Sequence, residues 1–179
     1  MVGPLSHIRV LDLSIVRAGP VAVRLLADWG AEVIRVEPPG ESDAQDVTGH
    51  WNSPDAQNLH RNKKGITLNL KDPRGYEVLK TLVATADVLV ENFKTDVKHR
   101  LKIDYESLKP INPRLIVASI SGFGQTGPYA TRPGFDQIIQ GMSGLMSLTG
   151  VPDGEPMRAG IAVSDTSAGM FLGQGILLA

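Results

Sequence analysis

An α/β domain built on a parallel sheet with helices on its faces is the fold that the sequence predicts. Two observations carry this: short β-branched runs recur along the 179-residue chain, and helical patterns stand between them. A hydrophobic content of 42% adds that one domain can hold a substantial core.

The elements follow in order. "IRVLDLS" (8–14) reads as a strand, "GPVAVRLLADWGA" (19–31) as a helix and "EVIRVE" (32–37) as a second strand. Each has the length of its element and is bounded by turn residues. Residues 38–62 are polar and rich in Pro, Gly, Ser and Asp, a connection of a length that is often functional. Then come "GITLNL" (65–70, strand), "DPRGYEVLKTLVATA" (72–86, helix), "DVLVENF" (87–93, strand), "YESLKPI" (105–111, helix) and "RLIVASISGF" (114–123, strand). The last pattern, "TSAGMFLGQGILLA" (166–179), is a helix that stops on Leu177, Leu178 and Ala179 without a Gly or Asn cap, so a continuation is expected.

Composition narrows the function. With 18 basic against 19 acidic residues, no field of one sign marks the chain for nucleic acid or anionic lipid. The absence of cysteine removes disulfides, thiolate zinc sites and cysteine nucleophiles, and fits an intracellular, cytoplasmic protein. His7, His50, His60 and His99 are scattered without metal-ligand spacing, which predicts surface or capping roles and no metal. The N-terminus lacks the pattern of a signal peptide, and "GMFLGQGILLA" is too short and glycine-rich to span a bilayer.

In open α/β sheets, ligands bind beyond the carboxyl ends of the strands. After the first strand, Arg17, Ala18 and Gly19 open a helix with Pro20 in its first turn: a phosphate site, or a plain helix start. The three-glycine dinucleotide fingerprint is missing, which argues against a nicotinamide enzyme although Glu37 closes the second strand. After the third strand, Lys71 precedes a helix start at Asp72 and Pro73, and pairs with a phosphate or is merely solvated. After the fourth, Asn92, Phe93 and then Arg100 suit an adenine nucleotide, or leave Phe93 at the core edge. After the fifth, Gly122, Gly124 and Gly127 allow close approach of a ligand or a tight turn.

Asp165 stands before the last helix among Ser164, Thr166, Ser167, Ala168 and Gly169. One reading makes it the N-cap. The other makes it a nucleophile, kept ionised by the helix N-terminus, with small neighbours leaving room for a bulky partner.

Taken together, "VLDLSIVRAGP", "LLADWGAEVIRVEPPG", "RNKKGITLNLKDPRG", "ADVLVENF", "NPRLIVASISGFGQTGPYATRPGFD" and "GIAVSDTSAG" resemble the family III CoA-transferases. The resemblance implies a Rossmann-like large domain, of which 1–179 would be the N-terminal part, with a smaller domain outside this chain and an interlocked homodimer. It implies transfer of CoA from an acyl-CoA to a carboxylic acid, with CoA as substrate and no permanently bound cofactor. Asp165 matches the catalytic aspartate, which would pass through a mixed anhydride and an aspartyl-CoA thioester. Arg17, Ala18, Leu68, Asn69, Leu70, Lys71, Asn92, Phe93, Arg100 and Asp136 match positions that contact CoA. Pro38 follows Glu37 where some relatives carry arginine, and Arg17 replaces the glutamine of formyl-CoA transferase, so oxalate and formate are not implied. The related α-methylacyl-CoA racemases place a histidine base where this chain has Phe135, which cannot transfer a proton. Transferase is therefore preferred to racemase, and a CoA-binding or dimerising module without turnover is the reading from another class.

Overall fold

The computed structural model describes residues 3–39 and 53–179, so much of the long polar segment, His50 included, lies outside the described residues. Five strands form one sheet: β1 (Arg9–Asp12), β2 (Glu32–Glu37), β3 (Lys63–Thr67), β4 (Val88–Glu91) and β5 (Ile116–Ser119). All pairings are parallel, in the order β3-β2-β1-β4-β5. The order reverses between β1 and β4, and a ligand crevice opens at such a switch point.

Successive strand residues point to opposite faces, and both faces are buried. On one face Val10, Val33, Val88 and Val90 pack with Val23 and Leu26 of α1 (Ala18–Asp28) and Ile176 of α7 (Val163–Leu178). On the other, Leu11 and Leu89 pack with Leu79 and Val83 of α3 (Pro73–Val83) and with Leu108 of α5 (Tyr105–Leu108). The alternation read from sequence is thus a three-layer α/β fold.

Three short helices occupy segments read as connections: α2 (Pro54–His60), α4 (Thr95–Arg100) and α6 (Asp136–Met142). The start of α2 carries a local signal that the polar composition hides. Ser53 Oγ accepts the Ala56 amide at 3.2 Å, and Pro54 fills the first helical position. A 3-10 turn (Leu145–Leu148) follows α6. β3 forms two residues earlier than "GITLNL" suggests, because its backbone pairs through Lys63 and Lys64, which read as polar. Leu68, Asn69 and Leu70 are therefore loop.

Helices α1 and α7 run parallel and in close contact. A Cβ on Gly169 would lie 2.5 Å from the Ala18 carbonyl oxygen, and one on Gly173 would lie 3.9 Å from that of Ala22. Gly169, one of the small residues near Asp165, thus accommodates α1, where sequence reasoning reserved that space for a ligand. This packing sets the N-terminus of α7 beside that of α1, at the carboxyl edge of β1. Of the expected surface or capping roles, His60 does not take the surface one: it is buried in the last turn of α2.

Candidate active site

The floor of the site is the turn after β1. Asp12 is fully buried, and its Oδ1 accepts the Ser14 amide at 3.0 Å and the Ser14 hydroxyl at 2.5 Å. Its Oδ2 accepts Lys63 Nζ at 2.8 Å, the two side chains being 0% and 1% exposed. Lys63 Nζ also reaches the Pro20 carbonyl at 3.4 Å and stands 3.4 Å from His60 Nδ1. Burial depresses the Lys63 pKa, against the pull of the Asp12 charge. The pair neutralises a carboxylate that the β1 turn needs as a backbone acceptor.

Above it, Val16 adopts φ 62, a left-handed conformation that is strained for a β-branched residue. Asn92 holds the neighbouring peptide in place: its Oδ1 accepts the Ile15 amide at 2.8 Å, and its Nδ2 donates to the Ile15 carbonyl at 2.7 Å. The amide expected to meet a nucleotide is engaged within the fold. Gly19 is required here, since a Cβ would fall 2.2 Å from that of Ser14. At the end of β4, buried Glu91 accepts the Phe93 amide at 2.9 Å and lies 3.5 Å from Lys98 Nζ. Both strands at the switch point thus end in a buried carboxylate matched to a lysine.

Arg17 occupies the N-cap position of α1 and pairs through Nη2 with Asp55 of α2. Ala18 is buried at the helix start.

Asp165 is the third residue of α7, with Ala162 at the cap position and no side-chain cap from it. The expectation of an Asp165 N-cap is therefore corrected: Asp136 caps α7 from outside, its Oδ1 accepting the amides of Ser164 at 2.8 Å and Asp165 at 3.1 Å. Oδ2 of Asp136 accepts Gln140 Nε2 at 2.5 Å. Gln140, fully buried, also bonds the Ile161 carbonyl and the Ala159 amide, tying the approach to α7 onto α6. Asp136, expected to contact CoA, has both oxygens engaged within the fold, Oδ1 on the α7 amides and Oδ2 on Gln140.

The Asp165 carboxylate is half-buried and makes no hydrogen bond or ion pair among the described residues. Burial raises its pKa first, the Asp136 charge second, while Arg17 opposes them. A carboxylate held low by the helix end was expected. Asp136 instead takes the helix amides and adds a like charge, so the shift is upward.

The remaining expected residues spread along the same edge. Leu68, Leu70 and Phe93 are partly buried against the α3-side core. Asn69 Oδ1 accepts the Lys71 amide at 3.1 Å, and Lys71 is exposed. Leu68 and Asn69 line an open pocket of about 330 Å³, together with Asp72, Arg74 and Gly75. Arg100 lies at the end of α4, 3.6 Å from Asp96 of the same helix. Gly124 and Gly127 take positive φ, as their turn requires, and Gly122 packs on the Gly134 backbone. Asp12, Asp55, Lys63 and Gln140 escaped sequence reasoning. For Asp12 a signal existed, a carboxylate inside an apolar strand; Asp55 sits in a uniformly polar segment and has none.

The profile of CoA-transferase family III matches residues 5–179. The chain belongs to this family. A succinate–glutarate CoA-transferase of Agrobacterium fabrum is 50% identical to this family III chain over 94% of it and 44% of the relative. An acetyl-CoA:oxalate CoA-transferase of Acetobacter aceti is 45% identical, over 97% of this chain and 46% of that protein. Among solved structures, a CAIB/BAIF family protein from Brucella suis superposes with a TM-score of 0.87 at 42% identity, covering 99% of this chain and 50% of that one. The family III chain thus spans about half the length of the relatives that it matches. Among the described residues no cluster could hold a metal ion, and no helix is long and apolar enough to cross a membrane.

Proposed function

We propose that Asp165 is the nucleophile of a CoA-transferase that moves CoA between a donor thioester and a dicarboxylic acid. The observation that carries this reading is the unpartnered, half-buried Asp165 carboxylate beside the adjoining N-termini of α1 and α7. Asp136, itself held by Gln140, fixes the Asp165 backbone, while the Asp165 side-chain oxygens have no partner among the described residues. The dicarboxylic acid is suggested by the names of the relatives, which act on succinate and glutarate or on oxalate.

In the proposed sequence an Asp165 oxygen adds to the thioester carbonyl, the C–S bond breaks, and the CoA thiolate leaves behind a mixed anhydride. The thiolate then attacks the aspartyl carbonyl and releases the donor acid as its carboxylate. The acceptor carboxylate attacks the resulting aspartyl thioester, expelling thiolate. That thiolate takes the acyl group from the new anhydride and regenerates Asp165. Charge is conserved in every step, and one hard exchange becomes four easier ones. The N-terminus of α1, whose positive dipole end lies beside Asp165, suits the anions formed along the way.

CoA would lie along the carboxyl edge, its acyl thioester end toward Arg17 and its own length running from Ala18 past Phe93 to Leu68, Asn69, Leu70 and Lys71, with Arg100 and Asp136 at its margins. We read the chain as the N-terminal part of the large domain of a cytoplasmic enzyme, completed by a smaller domain and by a second copy. Phe171 and Leu178 of α7, 70% and 89% exposed, offer apolar surface to such contacts. The test is transfer of CoA from succinyl-CoA to glutarate by the protein at its full encoded length. Wild type should turn over, and Asp165→Asn should lose at least ~10³-fold, the scale of removing a covalent nucleophile. Undiminished transfer by the Asp165→Asn variant would refute the assignment.

A further inference from the structure

We propose that Arg17 reads the distal carboxylate of a dicarboxylic acyl group, with Asp55 as the positioning residue that holds the guanidinium for it. The proposal rests on the transferase reading above and names how its substrate class is selected. Only Nη2 of Arg17 is engaged, by Asp55; Nε and Nη1 make no hydrogen bond among the described residues. A guanidinium presents five donors in a planar fork, so one edge held by a carboxylate leaves others for a second carboxylate.

The placement favours the acyl group over the coenzyme tail. Gly169 lies against the Ala18 carbonyl, and Asp165 is one turn before Gly169 on the same side of α7, level with the start of α1. Arg17 thus stands beside the reacting carboxylate. The Arg17 and Asp55 side chains remain 30% and 36% exposed, open to a ligand.

Asp55 is itself held firmly, because α2 is fastened to α1. Arg61, at the end of α2, binds Asp28 through two bonds of 2.8 and 2.5 Å, and Arg24 reaches Asn58 at 3.3 Å. The Asn62 amide donates to the Ala27 carbonyl at 2.8 Å. The guanidinium is therefore pre-set, which lowers the ordering cost of capturing a carboxylate.

Succinyl-CoA and butyryl-CoA have the same chain length and differ at the distal group, so they isolate the effect. Calorimetric binding and kcat/KM would be measured for both thioesters with wild type, Arg17→Met, Arg17→Lys and Asp55→Asn, at full encoded length. Arg17→Met should weaken succinyl-CoA by about 10- to 100-fold, the factor lost with a charge-assisted bond, and butyryl-CoA by less than about 3-fold. Arg17→Lys should restore part of the selectivity, and Asp55→Asn should raise KM for succinyl-CoA alone. Equal losses with both thioesters would mean that Arg17 serves the coenzyme and would overturn the proposal, as would no loss with either. Arg17-dependent preference for succinyl-CoA in a protein that transfers nothing would remove the transferase reading and leave this one standing.

Discussion

Asp165 carries a cost that a helix cap would not. Its pKa lies above the ordinary 3.8, so the folded chain keeps a proton at pH values where the unfolded chain has lost it. Stability from this residue therefore falls as pH rises from about 3.8 through the folded value, and at neutral pH the ionised carboxylate opposes folding. Asp165→Asn should raise the melting temperature at pH 7, with the gain vanishing below pH 3.8, while abolishing transfer. A fall in melting temperature at pH 7 would contradict the raised pKa. Asp136 is the other half of this balance. Asp136→Asn removes the like charge and can still accept the helix amides, so carboxyl titration by NMR should place Asp165 lower than in wild type. Asp136→Ala also strips the cap and leaves Gln140 Nε2 short of an acceptor, which should cost about 1–3 kcal/mol in denaturant unfolding.

Between elements, two contacts hold the site. Gly169 lets α7 seat on α1, and any side chain there meets the Ala18 carbonyl, with Val21 Cβ 2.9 Å away. Gly169→Val should therefore destabilise by about 1–3 kcal/mol and reduce transfer by shifting Asp165 from its place. Chemical denaturation and a transfer assay would measure both. Lys63→Met strands the buried Asp12 charge and should cost about 3–5 kcal/mol, whereas Asp72→Ala, at an exposed cap, should cost only about 1. The strands and long helices were legible because β-branched runs and turn residues mark them locally. Helices α4 and α6 were not, because each is short and settles on contacts distant in sequence, such as Gln140 with Ala159. The cap of α7 was misplaced for the same reason: the group that satisfies its amides lies 28 residues from Ser164, beyond the reach of any local pattern. Arg17 could be placed at a helix start from sequence, but its partner Asp55, 38 residues on, could not.

At the scale of the whole molecule, a doubly covered parallel sheet gathers Arg17, Asn92, Phe93 and the α7 N-terminus along one edge, the edge at which we propose that CoA transfer takes place. Exposed apolar residues near the end of α7 lead us to expect a dimer by light scattering at full encoded length, with a monomer counting against the proposed assembly. Phe135, 58% exposed at the start of α6, leaves no base in the racemase position, so acyl-CoA should not take up deuterium at its α-carbon. The most direct measurement is mass spectrometry of the peptide carrying Asp165 after brief incubation with acyl-CoA and no acceptor. A CoA-sized adduct on Asp165 is expected, captured by hydroxylamine as the hydroxamate and missing from Asp165→Asn. An unmodified Asp165 peptide from protein that is turning over substrate would contradict the role of Asp165 as nucleophile.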